Sequence, residues 1–346
     1  MLSTNTLSAV PLRINEPVAR CEDTRGYSCN VRSETKEMLA TTLAMLAHGF
    51  IDAEHKLLMG YAGWYATPGD GNLSDSIGWQ HWLSTTKSPG AEDATFTYWP
   101  NTSEYEANTL HNAPLSMADG RPAKLFSSYD PTTVERHFAW MEKFGIDGVL
   151  KQRFVTAIAG APPYYRFQNH VIHTIKVAAE KHHRAWGILY DLFNVNSTTL
   201  VQDIERDWVD YCENTLGALN SSQFLSYKGK PLVGLRLGIS DNVPYTKQEA
   251  ENVITFFKKR GMAVMGQVPV TWAENPQWKA LYNTLDIINP WTVGRFGNQG
   301  GKDAGSPERA GIDVDRYSTN FVFRDLAATQ LSGRETCPLS GRGASN

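Results

Sequence analysis

A chain of 346 residues with 33 lysines and arginines against 36 aspartates and glutamates, a formal charge of −3, has no basic surplus for nucleic acid or for an anionic membrane. With 41% hydrophobic and 20% charged residues it has the composition of a globular protein, long enough for one large domain or two small ones. No stretch reaches the ~18 apolar residues of a membrane span. The four cysteines, Cys21, Cys29, Cys212 and Cys337, contain no Cys-x-x-Cys pair, which argues against a zinc ribbon; Cys21 and Cys29 could bridge locally.

Residues 1–54 differ in composition from the rest, show no strand pattern and read as a leader. Within them Met38 to Ala47 is an apolar run behind Arg32 and Lys36. It has the form of the hydrophobic segment of a secretory signal, which implies a secreted protein. The other reading is an amphipathic helix packed on the domain, compatible with a cytoplasmic one. Sequons at Asn72, Asn101, Asn196 and Asn220 fit secretion but also arise by chance.

From residue 55 a rhythm begins. Leu57 to Ala62 is an apolar strand ending near Trp64, followed by a long loop rich in Gly, Pro, Ser and Trp that reaches Pro122. Loops of that length are usually functional. Lys124 to Ser127 is the next expected strand. Asp130-Pro131-Thr132 then opens a helix, an aspartate N-cap with proline at the first helical position, and Val134, Phe138 and Met141 recur at helical spacing until Gly145. Ile146 to Leu150 is a third strand. Helices at Tyr165–Lys181, Val201–Leu216, Lys247–Arg260 and around Trp278–Tyr282 then alternate with strands at Trp186–Tyr190, Pro231–Leu237, Met262–Val268 and Asp286–Asn289.

Short, near-continuous apolar strands alternating with helices define an α/β protein with a parallel sheet covered on both faces. Seven strands are counted where a (β/α)8 barrel needs eight. An open doubly wound sheet would carry a Gly-rich phosphate loop behind a strand; "GDGN" and "GNQGG" are not so placed, and no G-x-x-x-x-G-K-[ST] occurs. The expectation is a barrel over residues 55–326 whose eighth strand is missing or altered. The polar, aperiodic residues 327–346 form an irregular tail.

In such barrels the site lies at the C-terminal ends of the strands. The run Trp186 to Tyr190 ends on Asp191, and a buried, unpaired carboxylate is costly, so Asp191 is expected to open into the cleft, half desolvated but reachable by substrate, and is the leading catalytic candidate. The other strand ends offer Trp64 and Tyr65; Tyr129 and Asp130; Lys151, Gln152, Arg153 and Phe154; Arg236 and, beyond it, Asp241; Gln267, Thr271, Trp272 and Glu274; Asn289, Trp291 and Arg295. Asp130 reads better as the helix cap. A rim of Trp, Tyr, Asp, Gln and Arg suits sugars, because flat rings cover apolar sugar faces and planar polar groups read hydroxyls. Trp64, Trp99, Trp272 and Trp291 are expected to include such platforms. His170 and His173 share a helix face without a carboxylate motif, and no Gly-x-Ser-x-Gly elbow exists, so neither a metal, another cofactor nor a serine nucleophile is expected.

The segments "MGYAGWYATPGDG", "WQHW", "FTYWPNTSEY", "SSYDPTTVERHFAWMEKFGIDGVLKQRF", "GILYDL", "YKGKPLVGL", "VPVTW" and "INPWTVGRF", taken in order, resemble the glycoside hydrolase family 99 and 71 group. The similarity is closer still to bacterial and fungal proteins described as xylosidase/arabinosidase, and it runs from about Lys56 to about Phe323. It implies a (β/α)8 barrel and an endo- or exo-acting glycosidase on a carbohydrate substrate, with no cofactor. In family 99 two catalytic glutamates lie three residues apart after a mid-barrel strand; the matching positions here are Asp191 and Asn194. Asn194 cannot be a general acid or base. Either the second carboxylate comes from Asp241, Glu274 or Glu104, or the chain is a weak or inactive, carbohydrate-binding relative.

Overall fold

The computed structural model describes residues 49–71, 77–84, 93–96, 98–160, 162–238, 243–269 and 271–291. Most of the leader, the tail at 327–346 and the site candidates Asp241 and Arg295 lie outside the described residues. Along the chain come β1 (Ile51–Asp52), β2 (Leu58–Tyr61), β3 (Leu110–Ser116), β4 (Pro122–Phe126), α1 (Pro131–Phe144), β5 (Gly148–Phe154), α2 (Val155–Gly160), α3 (Pro162–His182) and β6 (Ala185–Asp191). Then follow α4 (Leu200–Arg206), which continues as a π-helix (Asp207–Thr215), β7 (Leu225–Tyr227), β8 (Lys230–Arg236), α5 (Lys247–Lys259), β9 (Ala263–Val268), α6 (Pro276–Tyr282) and β10 (Ile287–Pro290).

Local chemistry sets the helix ends. Asp130 caps α1 by accepting from the Thr132 amide at 2.8 Å, Pro131 follows it, and Gly145 closes the helix in the left-handed region at φ 71°. Thr246 and Glu249 form a capping box on α5, and the Asn275 side chain caps α6. The helix beginning at Leu200 changes its winding at Asp207: the Leu216 amide reaches back five residues to the Tyr211 carbonyl at 2.7 Å. Among the described residues no helix is long and apolar enough to cross a membrane.

Six strands pair in parallel in the order β2-β5-β6-β8-β9-β10. Their sequences are apolar on both faces because both faces are covered. One face holds Leu58, Leu150, Leu189, Leu232, Met265 and Ile287 as one cluster. The other packs Val149, Trp186, Ile188, Val233 and Val264 against Phe138, Val171, Ile175 and Phe257 of the helices. This is an α/β fold built on a parallel sheet.

Two expectations need correction. The strand at Lys124–Ser127 is β4, which pairs antiparallel with β3 in a separate two-stranded sheet; β2 pairs directly with β5. Its pattern carries the reason: Ala123 and Leu125 are buried while Lys124 is exposed, the alternation of a strand with one covered face. That hairpin has its own core with Trp79, Trp82, Leu115 and Phe126, so the long loop after Trp64 is partly structured. Residues before 55 also supply a strand. β1 pairs parallel with β7, which turns back antiparallel onto β8 through Lys228 and Gly229, both at positive φ. At two residues β1 is too short to show a period.

Candidate active site

The parallel register lines up a single rung at the C-terminal strand ends. Phe154 lies beside Asp191, Asp191 beside Arg236, Arg236 beside Gln267 and Gln267 beside Asn289. Residues paired in register share a face of the sheet, and residues two apart on a strand return to it, so Gln152 joins this face. Trp64, just beyond β2, extends the row: its ring stacks on Phe154 at 5.6 Å and on His81 at 4.0 Å. His81 is held at φ 58°, and burial together with the Lys151 charge pushes its imidazole down to about 4.

Asp191 sits inside this row, 1% exposed. Its Oδ2 accepts from Gln152 Nε2 at 2.5 Å and from Arg236 Nη1 at 2.9 Å, and its Oδ1 accepts from the Phe193 amide at 2.9 Å. The strand delivers a charge to its tip because a neighbouring strand delivers the opposite charge in register. The expectation of a half-desolvated carboxylate is therefore corrected: it is buried, paired and hydrogen-bonded. The Phe193 bond also shapes the exit from β6. Asn194 takes the left-handed conformation at φ 52° and is exposed, and Phe193 projects outward, 65% exposed. The Arg236 guanidinium meanwhile lies 4.8 Å from the Trp291 ring, a cation–π contact at the end of β10.

Arg153 points the other way. Its guanidinium forks onto Asp207 of the π-helix, Nε to Oδ2 at 2.7 Å and Nη2 to Oδ1 at 2.5 Å, and Nη2 also reaches Asn169 Oδ1 at 2.7 Å. Tyr190 and Tyr165 donate to the same carboxylate at 2.7 and 3.0 Å. Burial opposes both charges, yet the pair wins: Arg153 is raised well above its ordinary value and Asp207 is lowered. Lys151 faces the same side, where Nζ donates to the carbonyls of Ala62 and Gln152 and to Gln168 Oε1 at 2.6, 2.5 and 2.6 Å.

The other sequence candidates are dispersed. Tyr65 stacks on Trp82 at 4.0 Å, and Trp99 packs against Phe96 at 5.2 Å, both in the hairpin cluster. Tyr129 lies on His170 at 3.9 Å. Trp272 is half-buried in the loop after β9, and Glu274 is exposed in the same loop. Glu104 accepts from Trp140 Nε1 at 3.0 Å. The structure thus gathers Trp64, Gln152, Asp191, Arg236 and Trp291 and turns Arg153 away. Phe193 and His81 were not singled out by the sequence. Only Phe193 had a signal, an apolar residue two places beyond a strand-end aspartate.

No protein-family model matches this sequence, and no curated protein sequence matches it. Among solved structures the chain is similar to the GH99 endo-alpha-mannosidase from Bacteroides thetaiotaomicron, at 15% identity and a TM-score of 0.47, over 80% of this chain and 74% of that one. It is likewise similar to that endo-alpha-mannosidase in complex with bis-tris-propane, at 15% identity and a TM-score of 0.46, over 77% and 68% of the two chains.

Proposed function

We propose that this chain is a glycoside hydrolase of the (β/α) barrel type, acting on an oligo- or polysaccharide at the C-terminal ends of its parallel strands. The observation that carries the reading is the rung. A carboxylate, a guanidinium and the carboxamides of Gln152, Gln267 and Asn289 converge between the rings of Trp64, Phe154 and Trp291. Convergent planar polar groups framed by aromatic faces suit a ligand with hydroxyl edges and apolar faces. The motifs shared with glycoside hydrolases of families 99 and 71 point the same way, and the reading includes closure of the parallel sheet into a barrel.

Cleavage of a glycosidic bond uses two carboxyl groups ~5–9.5 Å apart. Asp191 is proposed as one. Gln152 and Arg236 occupy Oδ2 and the Phe193 amide takes one acceptor position on Oδ1, which leaves one on Oδ1 for a substrate hydrogen. Glu274, exposed beyond β9, and Asp241 are the candidates for the other. The burial of Asp191 at 1% and the amide at Asn194 favour a second reading, a carbohydrate-binding protein without turnover. The purified full chain, assayed on nitrophenyl glycosides of mannose, xylose and arabinose with sugar binding measured in parallel, separates the two. Nitrophenol release supports the hydrolase, binding without release supports the second reading, and the absence of both release and binding refutes both.

A further inference from the structure

Several polar atoms at this end of the sheet are buried with no hydrogen-bond partner among the described residues: Gln267 Oε1, Asn289 Nδ2, the Tyr245 hydroxyl and Trp64 Nε1. Gln267 is 2% and Asn289 5% exposed. Leaving such a group unsatisfied is costly, and folded proteins rarely do so. Here the cost is avoidable. Gln267 and Asn289 are register partners on β9 and β10, strands ~4.8 Å apart, and a carboxamide oxygen next to a carboxamide nitrogen is a ready pair. They do not bond to each other. On the other side of Gln267, the Arg236 guanidinium turns to Asp191 and Trp291.

We propose that Gln267 and Asn289 are the hydroxyl-reading pair of the site: a ligand O–H donates to Gln267 Oε1, and the same or the adjacent ligand oxygen accepts from Asn289 Nδ2. The inference rests on the carbohydrate reading above and adds the side chains that discriminate among ligands. Polarity limits the chemical class. An unpartnered carbonyl oxygen attracts a donor and repels a carboxylate or phosphate oxygen, so the group seated at Gln267 is a hydrogen-bond donor, which on the carbohydrate reading is a hydroxyl. Its neighbour offers the complementary donor, a match for a ring hydroxyl or a vicinal diol. Burial, with Tyr282 and Asp191 nearby, pushes the Tyr245 hydroxyl up, which keeps it protonated.

The test is a ligand-observed NMR titration of the full chain with methyl α-mannopyranoside, methyl β-xylopyranoside, methyl α-arabinofuranoside and their monodeoxy analogues, together with thermal melts of Gln267→Met and Asn289→Leu. These replacements keep the shape and remove the unsatisfied atoms, so Tm is expected to hold or rise. Binding is expected to weaken by about tenfold or more. One monodeoxy analogue should show the same loss on the wild type and no further loss on the variants. Should either variant fail to fold, the deoxy series on the wild type alone decides. Variants that bind within about twofold of the wild type, or a wild type indifferent to every single hydroxyl, overturn the pair's role and leave the carbohydrate reading standing. Failure to bind any of the three parent glycosides overturns that reading and this inference with it.

Discussion

Replacing Asp207 by asparagine is expected to destabilise the protein strongly while leaving the strand-end site chemically untouched. Asp207 accepts from Arg153 at 2.7 and 2.5 Å, from Tyr190 at 2.7 Å and from Tyr165 at 3.0 Å, all on the helix side of the sheet. Asparagine keeps the shape, removes the charge and presents an amide nitrogen to groups that are themselves donors. The Arg153 guanidinium is then buried with no compensating charge. Removing one partner of a buried pair costs ~3–5 kcal/mol. At ~1–2 °C per kcal/mol for a chain of this size, Tm should fall by ~3–10 °C. The assay is thermal and urea unfolding of the wild type, Asp207→Asn, and the double variant Arg153→Met with Asp207→Leu. The double variant should lose less than the single one, because apolar side chains satisfy a buried space that an unpaired cation does not. A loss below ~1 kcal/mol in Asp207→Asn refutes the assignment of Arg153 and Asp207 as a buried structural pair.

Three further outcomes are expected. His137 lies between the hydroxyls of Tyr61 and Tyr105, each 2.7 Å from a ring nitrogen, and burial pushes it down to about 3. Its folded value is below the ~6.5 of an unfolded histidine, so the stability it contributes is complete above that pH and is lost as pH falls towards 3, at up to ~1.4 kcal/mol per pH unit. Urea midpoints between pH 7 and 5 should fall less steeply in His137→Asn than in the wild type; equal slopes would contradict this. At Gly148 an added Cβ meets the Ala185 carbonyl carbon and Cβ at 2.7 Å, on the neighbouring strand, whereas at Gly60 nothing lies within 4 Å. Gly148→Ala should therefore cost ~1–3 kcal/mol or more, with Gly60→Ala as the unclashing comparison in the same denaturation series. Phe193→Ala, at a side chain 65% exposed, should leave stability within ~0.5 kcal/mol but weaken sugar binding several-fold through loss of a ring platform; unchanged affinity would remove Phe193 from the site.

The strands at β5, β6, β8, β9 and β10 are legible in the sequence because each is a short apolar run alternating with helix signals, and the Asp130 cap and Gly145 stop lie where their chemistry predicts. The strand ends are legible too, but not their parity. Parallel strands covered on both faces show no polar–apolar alternation, so nothing in "LKQRF" tells that Gln152 and Phe154 face the rung while Arg153 faces the helices. The same ambiguity separates Trp64, which stacks on Phe154, from Tyr65, which stacks on Trp82. Partners distant in sequence are likewise hidden: Arg236 follows Asp191 by 45 residues and Asp207 follows Arg153 by 54, and only the register and the π-helix bring them together. Asp191 itself could be picked out as a charge at a strand tip, but its burial could not, since that depends on an arginine two strands further on.

The most direct test of the proposed activity is turnover of nitrophenyl glycosides by the wild type and by Asp191→Asn, with circular dichroism to establish that the variant is folded. Nitrophenol release by the wild type and a kcat at least ~10²-fold lower in the variant is the expected result. Near-normal turnover in Asp191→Asn, or a wild type that binds the glycosides and releases nothing, would contradict it.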